Sequence, residues 1–225
     1  MRIAETFYSV QGEGKLTGVP SLFIRVSGCN LRCAWCDTPY ASWRPEGGEQ
    51  SVDDLVRAAA DAGARHVVLT GGEPLLFEES CTLSAHLRQV GHHVTVETAG
   101  TLFRPIHCDL LSISPKLANS TPAGEPEARH EAARRNLEPL RQLMALPCEK
   151  QLKFVVNRQQ DLDEIQSILQ QISGWMKQDI LLMPEGTTPS ALAAHEPWVV
   201  EICKREGYRY CPRLHVQLWG NRRGV

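Results

Sequence analysis

The sequence predicts an α/β fold, an incomplete TIM-like barrel of about six βα units with a short N-terminal arm, and three observations lead there. From residue 21 onward, short apolar runs alternate with stretches of helical period, the pattern of a parallel sheet with right-handed crossovers. The repeats fall short of the eight that close a barrel. At 225 residues, with 42% hydrophobic and 22% charged side chains, the chain can bury one core without a domain linker.

Residues 1–20 precede the first repeat and form the arm or a hairpin. Ser21 to Ser27 (SLFIRVS) reads as a strand bounded by Gly18, Pro20 and Gly28. Ser51 to Ala62 reads as a helix: Ser51 is the N-cap, Asp54 completes a capping-box-like pair, Leu55, Ala58, Ala59 and Ala62 share a face, and Gly63 ends it. His66 to Thr70 is the next strand, followed by a helix from Glu78 to Val90. Strands at Val94 to Thr98 and Asp109 to Ser114 are joined by a loop alone. Asn119 to Pro126, rich in Pro, Gly and small polar residues, reads as an exposed loop. Ala128 to Met144 is helical, kinked or split at Pro139. Leu152 to Val156 precedes a helix over Asp161 to Ile172, Ile180 to Met183 precedes a helix within Pro189 to Glu206, and a last strand covers Tyr208 to Leu218.

A net charge of -2 lacks the basic excess of a nucleic-acid binder. MRIAETFYSVQGEGK has no basic segment followed by a long apolar run, and no later stretch is apolar over the eighteen or so residues a membrane span needs. A cytoplasmic protein without nucleic-acid or membrane partners is expected. Of eight cysteines, Cys81, Cys108, Cys148, Cys203 and Cys211 are scattered singly through periodic segments, as buried free thiols are.

The chemically unusual residues cluster at the C-terminal ends of the strands, where parallel α/β folds build their sites. Three cysteines follow the first strand, GGEP follows the second, Glu97 and Thr98 end the third, Ser114 to Lys116 follow the fourth, and Pro184 and Glu185 follow the sixth. VSGCNLRCAWCDT spaces its cysteines C-x3-C-x2-C, and no second pair lies nearby to complete the four ligands of a structural zinc site. A 4Fe-4S cluster on three thiolates leaves one iron open for chemistry. In TGGEP, residues 70–74, two glycines let the backbone approach a ligand, although the same tetrapeptide also suits an ordinary strand-to-helix turn. With Leu152, Phe154 and Val156 facing helices, Gln151 and Lys153 face the barrel interior, where polar groups imply a ligand.

C-x3-C-x-aromatic-C, with Trp35 as the aromatic, resembles the motif of the radical S-adenosylmethionine (SAM) superfamily. The resemblance implies one radical SAM domain over residues 1–225, with Cys29, Cys33 and Cys36 as 4Fe-4S ligands and SAM chelating the open iron. In that superfamily the reduced cluster cleaves the sulfonium to methionine and a 5'-deoxyadenosyl radical. It also implies SAM contacts at Trp35, Asp37, Gly71, Gly72, Glu73, Ser114, Lys116, Gln151 and Lys153, with Thr70 facing the substrate.

The arm narrows the likeness. ETFYSVQGEGKLTGVPSLFIRVSGCNLRCAWCDT, then TGGEP, ISPK, QLKFVV and the terminal WGNRRGV, resembles the 7-carboxy-7-deazaguanine synthase family over nearly the whole chain. That family contracts 6-carboxy-5,6,7,8-tetrahydropterin with loss of ammonia, on the route to queuosine and related deazapurines. The resemblance implies Gln11, Gly12 and Glu13 at the pterin edge and Arg25 on the carboxylate, in bidentate fashion. It implies Mg2+ on Thr38, and closure by Arg213, His215 and the carboxylate of Val225. An external electron donor and a homodimer follow from the family as well. From the residues alone, QGEG also reads as a turn, Arg25 as half of a structural ion pair, Asp37-Thr38 as a turn or cap, and His215 as a hydrogen-bonded strand residue. Two other functions remain open: an activase that installs a glycyl radical on a partner protein, and a non-catalytic iron-sulfur or zinc protein.

Overall fold

The computed structural model describes residues 1–225. β1 (Arg2–Val10) runs antiparallel to β2 (Pro20–Val26) and, on its other side, to the two-residue β3 (Gly48–Glu49), forming the expected arm. From β2 the sheet continues in parallel and in chain order: β4 (His66–Gly71), β5 (His93–Thr98), β6 (Leu110–Ile113), β7 (Glu149–Val156), β8 (Ile180–Pro184) and β9 (Arg209–Tyr210). β3 and β9 are the two edges and do not pair, so the partial TIM-like barrel is left open.

The helices between the strands are α1 (Val52–Asp61), α2 (Glu79–Gln89), α3 (Glu127–Arg135), α4 (Glu138–Met144), α5 (Asp161–Gln170) and α6 (Pro189–Glu206). Ser51 caps α1 by accepting the amide N–H of Asp54, as its spacing from that residue predicts. β5 and β6 are joined without a helix, also as read. The long segment beyond residue 127 does split, with Pro139 in the first turn of α4, where its missing N–H costs nothing. α6 tolerates Pro197 within its eighteen residues.

Alternation along the strands sorts the side chains into two layers. Val67, Leu69, Val94, Val96, Leu111, Ile113, Leu152, Phe154, Val156, Ile180 and Leu182 face the helices within one core of 36 buried residues. Their neighbours point inward, and Thr70, Thr95, Ser112, Gln151 and Lys153 are buried there although polar. Val155, Leu181, Met183 and Cys211, with Trp35 against them, make a small apolar patch inside.

Two expectations are corrected. The strand expected over Tyr208 to Leu218 stops at Tyr210, and Leu214–Trp219 forms a short helix, α7. Pro212 lacks the N–H a ladder needs, and Val216 and Gln217 instead donate to the Arg213 carbonyl, so His215 is a helical residue and not a strand one. Nor is the stretch from Asn119 to Pro126 simply exposed: Ala118–Ser120 form a 3-10 turn, with Ser120 and Pro122 buried. Among the scattered cysteines, Cys108, Cys203 and Cys211 are buried free thiols, whereas Cys81 and Cys148 are partly exposed. No helix is long and apolar enough to cross a membrane.

Candidate active site

The loop between β2 and β3 carries all three clustered cysteines and is held from every side. Gly28 N–H donates to Ala41 O (2.8 Å) and its carbonyl accepts Glu73 N–H (2.8 Å), tying the loop to the turn after β4. Asn30 reaches Thr101 (2.9 Å), Trp43 Nε1 donates to Cys33 O (3.0 Å), and Arg32 Nη1 to Cys29 O (2.8 Å). The 3-10 turn supports it: Ala34 N–H donates to Ser120 O (2.9 Å) and Trp35 Nε1 to Asn119 O (2.9 Å). Cys29, Cys33 and Cys36 thereby line one cavity of about 490 Å³, a size suited to small ligands.

No three His, Cys, Asp or Glu side chains converge closely enough to hold one metal ion. Three spread thiols serve a cluster instead, one per iron, so the donor set fits a 4Fe-4S centre. Burial pushes the Cys29 thiol up to about 12 and the Cys33 thiol to about 11. In the protein alone they are neutral, and the charge of bound iron would ionise them.

β4 ends at Gly71 (φ 140°), a conformation only glycine takes readily, and Gly72 N–H donates back to Val26 O (3.1 Å). A side chain on Gly72 would strike the carbonyls of Gly28 and Ala41 in the cysteine loop. Gly72→Ala is therefore expected to cost about 1–3 kcal/mol and to lower iron content after reconstitution, checked by thermal melting and iron analysis. Gly71 and Gly72 line the cavity. Glu73 does not face it: fully buried, it accepts Thr98 Oγ1 (2.7 Å), Ala99 N–H (2.8 Å) and Leu75 N–H (3.0 Å), and burial raises its pKa. Its geometry is that of a brace for the glycine turn.

Across the cavity, the QGEG turn is threaded between the strands and the C-terminal segment. Gln11 Nε2 donates to Glu97 (3.0 Å), and Thr70 Oγ1 donates to the other oxygen of the same carboxylate (2.8 Å). Gly12 lies against the His215 ring so closely that a Cβ would overlap it, and Leu214 N–H donates to Gly12 O (2.9 Å). Glu13 is ion-paired with Lys153 and with Arg213 (3.0 Å), and His215 Nε2 stands 3.9 Å away. Burial alone would raise the Glu13 pKa, but Lys153, Arg213 and His215 hold it far below the carboxylate range. Burial, Arg213 and Lys153 lower the His215 pKa in spite of Glu13 and Asp37. Arg213 also pairs with Asp37 and donates to Gly186 O (2.6 Å), so one guanidinium bridges the QGEG turn to the residue beside Cys36.

Arg25 stands opposite Glu5 in the β1–β2 register, and its Nε donates to Glu5 Oε1 (2.7 Å), which also accepts Tyr40 OH (2.6 Å). The two terminal nitrogens of Arg25 make no hydrogen bond within the protein, and the residue lines the cavity above the stacked Phe7 and Phe23. The ion pair therefore leaves the outer edge of the guanidinium facing the cavity. The second oxygen of Glu5 accepts Arg223 Nε (3.1 Å); Arg223 also holds Glu46 (2.9 Å) and Ala4 O (3.1 Å) and lies 4.0 Å over the Tyr40 ring. This anchors the segment from Asn221 to Val225 along the cavity rim.

Ser114 and Lys116 line the far wall, with Lys116 Nζ bonded to Ser114 Oγ (2.9 Å) and 5.9 Å from the Trp35 ring. Thr38, too, lines the cavity, 3.8 Å from Cys36 Sγ. Gln151 lies behind the wall, donating to Ser112 Oγ (2.7 Å) and accepting Lys15 N–H (2.8 Å), and so supports the QGEG turn. Sequence reasoning missed Glu5, Tyr40, Arg223 and Asn119 and left Glu97 without a role. A drawn hairpin register would have found Glu5, since it places the acid directly across from Arg25.

Three cluster-spaced thiols at the C-terminal mouth of a partial barrel define a radical SAM enzyme, and the sequence profile of the radical SAM superfamily matches residues 23–136. The chain belongs, within it, to the 7-carboxy-7-deazaguanine synthase family. It is 46% identical over 227 residues to the 7-carboxy-7-deazaguanine synthase of Rhodopirellula baltica, covering 99% of this chain and 88% of that one. It is 47% identical over 233 residues to that of Halobacterium salinarum, covering 97% and 90%. The crystal structure of QueE from Escherichia coli superimposes with a TM-score of 0.71 at 25% identity, covering 95% of this chain and 94% of that one.

Proposed function

We propose that the protein, as one radical SAM domain over residues 1–225, converts 6-carboxy-5,6,7,8-tetrahydropterin to 7-carboxy-7-deazaguanine with loss of ammonia, for queuosine or related deazapurines. One observation carries this reading: the three thiols, Arg25 and the Gln11–Glu97–Thr70 network line the same cavity. Cys29, Cys33 and Cys36 would hold the cluster there, and the cluster with SAM would supply the radical chemistry that acts on C6 of the pterin. Gly71 and Gly72 offer close backbone approach to the SAM amino group, with Trp35, Ser114 and Lys116 on the side of its nucleoside and methionine; Glu73, Gln151 and Asp37 keep those surfaces in place.

Arg25 takes the substrate carboxylate on its two free nitrogens. Gln11, Glu13, Glu97 and Thr70 offer both donors and acceptors to a bicycle that is polar around its whole edge, and His215 and the Val225 carboxylate close over it. This fixed cage keeps the target carbon within reach of the radical and away from side chains. Thr38 offers one oxygen to Mg2+, which would fill its remaining positions with substrate and water. A cytoplasmic homodimer served by an external electron donor completes the reading. The tail across the cavity rim speaks against a glycyl-radical activase, which needs an open face for a partner's loop.

Anaerobic turnover with the carboxypterin, SAM and Mg2+ tests the proposal: the deazapurine chromophore is expected, and 5'-deoxyadenosine without it would mean a different substrate. Arg223→Ala frees the tail. Its contacts are half exposed, so the loss is on the order of 1 kcal/mol, seen as about a fivefold rise in KM for the carboxypterin with kcat little changed in steady-state assays.

A further inference from the structure

At the opposite end of the sheet from the cavity, Cys108 lies two residues before β6 and Cys148 one residue before its partner strand β7. Their sulfurs are 3.9 Å apart, with the Cys108 thiol donating to Cys148, and the strands are locked alongside by Glu149 N–H on Asp109 O (3.1 Å). We propose that Cys108 and Cys148 form a thiol–disulfide exchange site that takes low-molecular-weight disulfides of the glutathione type.

The register that pairs Leu110 with Glu149 sets Cys108 and Cys148 one residue out of step; for strands ~4.8 Å apart rising ~3.3 Å per residue this is a Cα separation of about 6 Å, within what a disulfide spans, so side-chain rotation can bring the sulfurs to bonding distance. The two thiols are unequal. Cys108 is buried and Cys148 partly exposed, which makes Cys148 the attacking sulfur and Cys108 the resolving one. The hydrogen bond from Cys108 lowers the Cys148 pKa against its partial burial, with Lys150 and Arg88 adding to the effect, and raises that of Cys108 together with burial. Lys150 is fixed beside it by the carbonyls of Leu146 and Cys148 (2.8 Å to the latter), and Arg88 by Asp109 (3.0 Å). Arg88 also lines an open cleft with His92, His107 and its ion-pair partner Asp109. By contrast, burial raises Cys81, Cys203 and Cys211.

In the exchange, Cys148 thiolate attacks one sulfur of the small disulfide and expels a thiolate. Cys108, giving its proton to that thiolate, then attacks Cys148 and expels the second. Two protein thiols are oxidised as one small disulfide becomes two thiols.

Cluster-loaded protein incubated anaerobically with oxidised glutathione, alkylated and digested, is the test. The expected product is the Cys108 peptide joined to the Cys148 peptide and lighter by two hydrogens. Cys108→Ser should stop at a glutathione adduct on Cys148, and Cys148→Ser should give neither product. Without oxidant, Cys148 should alkylate at least about tenfold faster than Cys81 at neutral pH. Wild-type protein with both thiols free, or with a persistent adduct on Cys148, would overturn the proposal without recourse to any variant.

Discussion

Cys33→Ala is expected to yield a folded protein that retains no four-iron centre and releases no 5'-deoxyadenosine from SAM. Cys33 is a small buried side chain, only 8% exposed, and trimming its sulfur costs the fold little. Its loss leaves two thiols for four irons, and no other cysteine lines the cavity. The effect on turnover is therefore complete. Iron and sulfide analysis after anaerobic reconstitution, followed by SAM cleavage with dithionite, measures it. Stoichiometric iron with undiminished cleavage in this variant would remove Cys33 from the cluster.

Glu13→Gln is expected to damage stability and catalysis together. Glu13 neutralises two cations that have almost no access to water, Lys153 at 6% exposed and Arg213 at 5%. Removing one partner of a buried ionic network costs about 3–5 kcal/mol, because the remaining charges stay desolvated. For a chain of this length that corresponds to a fall of roughly 6–20 °C in melting temperature. The QGEG turn and Arg213 would also lose their anchor, and a shift of reacting groups by an ångström costs about 10²-fold in kcat/KM. Glu13→Gln with Lys153→Met should recover part of the lost stability and none of the activity.

The same carboxylate sets an acid limit. Its folded pKa is depressed relative to the unfolded chain, so its stabilising contribution is fully present above the ordinary carboxylate range and is lost as pH falls below it. Wild-type melting temperature should drop through that interval more steeply than that of Glu13→Gln. Parallel curves would assign the acid sensitivity to other groups.

The sheet was legible because its period is simple. Leu152, Phe154 and Val156 pack against helices while Gln151 and Lys153 point inward, as their alternation requires. The loop at Asn119 was misjudged because small polar residues and proline look solvent-exposed until a second segment covers them, and here the cysteine loop does so. In LHVQLW, alternate apolar residues satisfied a strand pattern, but Pro212 cannot join a ladder, and six residues are too few for periodicity to decide between strand and helix. Residues that brace others left the weakest trace. Glu73 was read as a ligand contact because its motif is chemical in appearance, yet its oxygens are consumed by Thr98, Ala99 and Leu75. Arg223 and Glu5, 218 positions apart, carry no local pattern that could announce their meeting.

Glu5 grips Arg25 with one oxygen and Arg223 with the other. The floor of the pocket and its flap thus lean on a single pivot, and thermodynamic reciprocity applies: whatever docking the flap does for the guest's affinity, the guest does in equal measure for the flap. Protease susceptibility of the last five residues should accordingly report pocket occupancy from outside.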